Sequence, residues 1–148
     1  MPKDKGTDVV VDFSEVRPFE PLNEDQRYLC QVTKLDPGRG PKGPKLHAEL
    51  TIREPKEIEI EKEGKLEVIK IDGRKLFREF SLLPQALPFL HGFLRAMGET
   101  ELGETYNLTQ RIPDLLGTEV AVDVTNEEYE EQVRSRPNRI LPASSYAG

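Results

Sequence analysis

Hydrophobic residues recur at every second position along several short stretches of this chain, which is the pattern of half-buried β-strands. Residues 27–35 are rich in β-favouring types, with Tyr28, Cys30 and Val32 on one side. Every second residue from Leu46 to Ile52 is apolar, and polar residues lie between them. These two stretches predict the first and second strands. Between them, residues 37–44 are rich in Gly and Pro and predict a loop.

A second alternating region follows in residues 54–72. Ile58 and Ile60 alternate with glutamates, and Glu63-Gly64 marks a turn before residues 65–71. This predicts an inserted β-ribbon with one apolar side and one acidic side. Residues 74–82 then predict a further strand.

The period changes after this strand. Leu87, Leu90, Leu94 and Met97 recur at helical spacing and predict a helix over residues 84–97. Beyond it, a short helical turn is expected around residues 113–116, and strands are predicted over residues 118–125 and 131–141. Pro137 weakens the last of these.

The order of these elements predicts a mostly β fold. It is a five-stranded OB-like barrel with one helix between strands three and four and an inserted β-ribbon. The expected organisation is an extended lead-in over residues 1–25, with an edge strand at residues 9–11, then the barrel over residues 26–141. Residues 142–148 are a flexible tail. Another small barrel and an open α+β sheet remain alternatives.

Composition narrows the class of protein. The chain has 148 residues, which suits one domain, and a formal net charge of −6. No apolar run approaches the roughly 20 residues that cross a bilayer, and no signal peptide is visible. Because Cys30 is the only cysteine, we expect a cytoplasmic protein without an internal disulfide.

Signals for an enzyme are weak. His47 and His91 are far apart, and no set of residues has the spacing of a zinc site. Residues 41–45 lack the spacing of a phosphate-binding Walker loop. We therefore expect a binding protein and not an enzyme, with no cofactor and no metal.

The predicted loop between the first two strands carries Arg39, Lys42 and Lys45 against Asp36 alone. In an OB barrel this loop borders the nucleic-acid groove. These three cations are therefore candidate phosphate contacts, although a solvated loop would have the same composition.

Residues 74–80 interleave basic and aromatic side chains. Alternation places Arg74, Arg78 and Phe80 on one side and Phe77 on the other. The two arginines are candidate phosphate contacts, and either Phe77 or Phe80 is a candidate platform for a stacked base. Core packing of both rings is the alternative.

Other residues extend this candidate surface. Tyr28 and Tyr129 are further stacking candidates that suit barrel-edge packing equally well. Arg134, Arg136 and Arg139 add positive charge on the last predicted strand. The acidic ribbon would repel DNA and suits a contact with a protein.

Several stretches together resemble a phage protein family long catalogued as a domain of unknown function. They are DFSEV (12–16), FEPL (19–22), PKLHAELTI (44–52), GRKLFREFSL (73–82), LRAMG (94–98), LLG (115–117) and NRI (138–140). The resemblance covers roughly residues 12–142. The chain departs from the pattern in its long acidic ribbon. It also has no tryptophan, and it lacks the acidic, Phe-ended tail of bacterial single-strand binding proteins.

The family's members are similar to OB-fold single-stranded DNA-binding proteins encoded near phage replication and recombination genes. The resemblance implies a sequence-nonspecific single-stranded DNA-binding protein that acts in phage DNA replication or recombination, in the host cytoplasm. The expected partners are single-stranded DNA, replication or recombination proteins and further copies of the chain, with no membrane. The alternative is a protein-interaction module of a replication or structural assembly that uses the acidic ribbon or the barrel groove.

Overall fold

The computed structural model describes Val10, residues 20–130 and residues 132–147, and this part of the chain is mostly β-strand. The elements are β1 (Arg27–Gly40), β2 (Gly43–Glu54), β3 (Glu57–Lys62), β4 (Lys65–Lys70), β5 (Lys75–Ser81), α1 (Leu87–Ala96), α2 (Leu108–Leu115), β6 (Glu119–Tyr129) and β7 (Gln132–Pro142). Short 3₁₀-helices span Pro84–Ala86 and Ala143–Ser145. The predicted edge strand at residues 9–11 and most of the lead-in lie outside the described residues.

Five strands form one antiparallel sheet in the order β5-β2-β1-β6-β7. Its inner face buries the apolar positions that the alternation marked, including Cys30 and Val32 on β1 and Leu50 on β2. Burial of these side chains removes apolar surface from water, which stabilises the fold by roughly 25 cal/mol for each Å² buried. The two-residue period of the sequence is therefore what places one face of the sheet against the core.

The sheet is open, which corrects the prediction of a closed barrel. Within the described residues β5 and β7 are its two edges, and no hydrogen-bonded ladder joins them. A ladder requires neighbouring strands to lie about 4.8 Å apart. Between β5 and β7 there is instead a gap that a side chain spans. Arg78 on β5 donates from Nη1 to the carbonyl oxygen of Asn138 on β7 at 3.3 Å. We call this gap the seam.

The predicted basic loop is instead a long β-hairpin. β1 continues to Gly40 and β2 starts at Gly43, so Pro37 lies within the ladder opposite Leu46. The loop prediction was wrong because proline was taken as a strand breaker. On the side of β6, the backbone hydrogen bonds of β1 extend only through Val32, and beyond that point β1 has a partner on one side alone. A proline there forfeits no bond to a second neighbour.

The ribbon forms as a β3–β4 hairpin with its turn at Glu63 and Gly64. Its apolar side is part of the core, since Ile58 and Ile60 on β3 are buried. β4 differs, because Leu66 and Val68 are 70% and 59% exposed. The ribbon therefore packs through one strand and presents apolar side chains to solvent from the other.

Two α-helices lie between β5 and β6 in chain order, where one helix and a short turn were expected. α1 packs Leu90, Phe93 and Leu94 into the core. α2 is capped by Asn107, whose side chain accepts a hydrogen bond from Gln110 N at 3.1 Å. Pro113 lies inside α2, and because proline is disfavoured in a helix interior, the sequence pattern indicated only a short turn here.

The ends of the described chain are held against the sheet. Leu22 is buried, and its backbone N–H donates to Ser135 Oγ on β7 at 2.9 Å. Near the other end, Arg27 on β1 donates from Nη1 to the carbonyl oxygen of Ser145 at 3.1 Å. Residues 20–25 and Ala143–Ser145 therefore belong to the folded unit.

Candidate nucleic-acid interface

β5 determines which side chains face the candidate site. Leu76 and Phe80 point into the core and are 2% and 3% exposed, whereas Phe77 on the opposite face is 50% exposed. Arg78 shares the inner face with Leu76 and Phe80, but it lies at the seam and is only half-buried. One edge strand thus presents an aromatic ring outward and a cation at the seam.

A cleft of about 420 Å³ runs beside this strand, and we call it the first cleft. It is lined by His47, Lys75, Phe77, Arg78, Glu79, Glu127, Arg134, Ser135 and Arg136. Four basic side chains stand against two carboxylates, so the cleft is positive in a chain whose net charge is −6. A local positive field of this kind attracts polyanions whatever the net charge of the protein.

Both carboxylates of the first cleft are paired with basic side chains of the protein. Glu79 accepts a hydrogen bond from Lys45 Nζ at 3.0 Å and lies 3.2 Å from His47 Nδ1. The hydrogen bond from Lys45 holds the pKa of Glu79 below its usual range. Glu127 accepts from Arg136 Nη1 at 3.0 Å. These pairings reduce the repulsion that the two carboxylates would exert on a phosphate.

Arg78 is held in place by two contacts of different kinds. Its guanidinium lies 4.8 Å from the centroid of the Phe80 ring, within the range of a cation–π interaction. It bonds to the Asn138 carbonyl across the seam. Burial, and secondarily the nearby charge of Arg136, lowers the pKa of Arg78, but a guanidinium stays protonated in proteins. The result is a positioned cation at the mouth of the cleft.

A second cleft, of about 320 Å³, opens on the other side of Arg78. Its floor is the Phe80–Phe93 pair, whose rings stack with centroids 4.7 Å apart and an interplanar angle of 7°. Phe89 of α1 lines this cleft and is 63% exposed. Sequence reasoning missed Phe89. The signal was present, because Phe89 lies off the helical stripe that contains the buried Leu90 and Leu94.

The structure brings together only some of the predicted site residues. Phe77 and Arg78 line the first cleft, and Lys45 reaches it through Glu79. Arg39 and Lys42 lie exposed near the tip of the β1–β2 hairpin. They extend the positive surface beyond the cleft.

Three predicted site residues lie elsewhere. Arg74 precedes β5 and is half-buried, and it lines neither cleft although its neighbour Lys75 lines the first. Tyr28 is fully buried, and burial raises its pKa to about 12. Phe80 is buried in its stack with Phe93. The prediction that a base stacks on Tyr28 or Phe80 is therefore wrong, because neither ring has a free face. The side chain of Tyr129 lies outside the described residues.

The described residues contain neither a metal-binding cluster nor a membrane-spanning helix. Among residues 20–130 and 132–147, no three His, Cys, Asp or Glu side chains converge as a metal site would require. In the same part of the chain, neither α-helix has the length and apolar character of a membrane span.

Comparison of the whole chain with protein-family models and with curated proteins found no match.

Proposed function

We propose that this chain is a sequence-nonspecific single-stranded DNA-binding protein whose first cleft receives the strand. The observation that carries the proposal is an exposed aromatic ring, Phe77, inside a positive cleft of an acidic protein. Single-strand binders combine a basic groove that follows the backbone with aromatic rings on which bases stack. Every base has a face that can stack, so this mode of binding needs no particular sequence.

We also propose that the fold is OB-like, and the strand order supports this interpretation. In an OB-fold the face of the second and third strands binds oligonucleotides, flanked by the first-to-second and fourth-to-fifth strand loops. The corresponding elements here are β2 and β5, the β1–β2 hairpin and the β6–β7 hairpin. Action in phage DNA replication or recombination, in the host cytoplasm, completes the proposal and rests on the family resemblance.

Titration of fluorescein-labelled dT20 at 50 mM and 200 mM salt tests the proposal by anisotropy. We expect binding that weakens with salt, with a log–log slope of about −0.7 for each phosphate neutralised. Duplex DNA of the same length should bind less tightly, because its bases have no free faces. An absence of binding at low salt, or binding without salt dependence, would contradict the proposal.

A matched pair of variants locates the site. Arg136→Gln removes a cation from the first cleft, whereas Arg95→Gln removes one from the last turn of α1, outside the lining of both clefts. We expect R136Q to weaken dT20 binding and reduce the salt slope, and R95Q to match the unmodified protein. Equal losses in both variants would point to diffuse charge and not to this cleft.

A second candidate function is suggested by the ribbon. Leu66 and Val68 are exposed next to Glu61 and Glu59, their cross-strand partners on β3. An apolar pair edged by carboxylates suits a contact with a basic protein surface of a replication or structural assembly.

The test of this alternative must spare the core. Deleting the whole ribbon would remove Ile58 and Ile60, which are buried, so loss of partner capture would be uninformative. The double variant L66S/V68S leaves these residues in place. It should abolish capture of a replication or recombination protein while dT20 binding persists, and unchanged capture would count against the alternative.

A further inference from the structure

The second cleft differs from the rest of this acidic chain in its charge. Arg78 and Arg139 contribute to its lining, and no acidic residue does so among the described residues. The remainder of the lining is mostly apolar, with the Phe80–Phe93 stack as its floor. An apolar cleft with a few placed polar groups, at the lower end of the usual range of ~300–1,000 Å³, is typical of a ligand site.

Two residues of α1 keep this cleft open and aromatic. Phe89 lines the cleft and is 63% exposed. The other side of α1 is buried, so the exposure of this ring is not imposed by a lack of buried positions on the helix. Gly92 stands one turn of the helix away from Pro88, and a Cβ at Gly92 would meet no atom within 4 Å. Alanine or leucine forms helix better than glycine does. Packing therefore does not require a glycine, but a larger side chain would fill the cleft.

We propose that the second cleft is a second nucleobase site for the same DNA strand, in which a base stacks on Phe89 and Arg139 contacts the adjoining phosphate. This inference rests on the proposed single-stranded DNA binding. The occupant is a polyanion with flat apolar faces, because the cleft offers two arginines and an exposed ring, and its described lining contains no carboxylate.

Continuity with the first cleft identifies the occupant as the same strand. Arg78 lines both clefts, so a strand that leaves the first cleft meets the second across one guanidinium. Three residues of β5 separate Phe77 from Phe80, about 10 Å, and Phe89 is one helical turn, about 5.4 Å, from Phe93. The two exposed rings therefore lie on neighbouring elements of the fold, one in each of the clefts that Arg78 joins. The strand would pass Arg78 at the seam on its way from β5 to α1.

Anisotropy with labelled dT16 tests this site through four variants of α1. F89A and the obstructing variant G92L should each weaken binding, F89A by roughly 5- to 140-fold if one stacked base is lost. F89Y keeps the ring and should keep the affinity. L87A removes a side chain that is 42% exposed on the same helix but outside the cleft lining, and it should bind as the unmodified protein does.

Photo-crosslinking gives a readout of position that does not depend on affinity. An oligonucleotide in which 5-iodo-deoxyuridine replaces thymidine crosslinks to stacked aromatic rings on irradiation. Trypsin separates residues 76–78, which contain Phe77, from residues 79–95, which contain Phe89. We expect crosslinks in both peptides, with the Phe89 crosslink lost in F89A and the Phe77 crosslink retained.

The outcomes separate the two proposals. If the unmodified protein binds dT16 but F89A and G92L bind equally well, or crosslinks fall only in residues 76–78, the second site is wrong and the proposed function stands. If the unmodified protein does not bind dT16, the proposed function is wrong and this inference falls with it.

Discussion

The guanidinium of Arg78 lies 4.8 Å from the centre of the Phe80 ring, and the same side chain bonds across the seam to the backbone of Asn138. Phe80 in turn stacks on Phe93 of α1. The cation is thus anchored on one side by the core and on the other by β7. No carboxylate contacts it among the described residues, so its charge is directed at whatever occupies the two clefts.

This arrangement predicts that Arg78 is a phosphate contact that lysine replaces only in part. Arg78→Gln should weaken dT20 binding and reduce the salt slope by about 0.7, the value for one phosphate on a single strand. Arg78→Lys keeps the charge and should keep the slope. It should bind less tightly than the unmodified protein, because an ammonium lacks the planar group that lies on Phe80. Anisotropy at four salt concentrations measures both quantities.

The two phenylalanines of β5 should respond to alanine in opposite ways. Phe77→Ala should cost about 1–3 kcal/mol of binding free energy, the worth of one stacked base, and leave the free energy of unfolding unchanged. Phe80→Ala should instead lower the free energy of unfolding by about 3–5 kcal/mol, as for other buried phenylalanines. Urea unfolding and anisotropy, measured on both variants, separate the effects. Destabilisation by F77A, or unchanged binding, would contradict the assignment of Phe77.

Sequence pattern predicted the strands well, because burial of one sheet face imposes a two-residue period. It predicted that Phe77 and Phe80 lie on opposite faces, but not which face is inside, since each face of β5 carries an apolar ring. That choice depends on Phe93, which is thirteen residues away from Phe80 and supplies the stacking partner. Contacts between distant elements leave no local pattern.

Two further failures have the same origin. Closure of the sheet depends on how closely β5 and β7 approach, and neither strand's sequence specifies this distance. The strand character of residues 37–40 depends on β1 having no second neighbour beyond Val32. In the site, Phe89 was detectable as an aromatic residue off the helical stripe, yet only the fold shows that it stands beside Arg78 and Arg139.

Removal of the negative charge of Glu79 should make the protein bind single-stranded DNA more tightly. Its carboxylate lies in the first cleft, where it holds Lys45 and repels phosphate. Glu79→Gln should therefore raise the affinity for dT20 roughly two- to five-fold at 50 mM salt, equivalent to about 0.5–1 kcal/mol for an exposed charge interaction. The gain should shrink at 200 mM salt because screening weakens exposed charges.

Glu101→Gln is the control for this effect. Glu101 is exposed on the loop after α1, so the variant changes the net charge equally but leaves the first cleft intact. A gain in affinity from E101Q equal to that from E79Q would mean that net charge, and not the position of Glu79, governs binding.

The stability of the α1–α2 connection should depend on pH through Glu99. Arg111 donates from Nε and Nη2 to the two carboxylate oxygens of Glu99, both at 2.9 Å, and Tyr106 donates its hydroxyl at 2.6 Å. The hydrogen bonds from Arg111, followed by that from Tyr106, hold the pKa of Glu99 below its usual range. An unfolded glutamate titrates near pH 4.3. A lowered folded-state pKa means that the stabilisation is complete above this value and is lost as the pH falls through the folded-state pKa.

Glu99→Gln should therefore be less stable than the unmodified protein at pH 7, and the difference should narrow steadily below about pH 4.3, because a protonated carboxyl bonds to Arg111 much as an amide does. Urea unfolding at pH 7, 5, 4 and 3 measures the gap. Glu104→Gln, on the exposed loop between the two helices, is the matched control and should show little difference at any pH. A gap between E99Q and the unmodified protein that stayed constant from pH 7 to pH 3 would mean that Glu99 acts through packing and not through its charge.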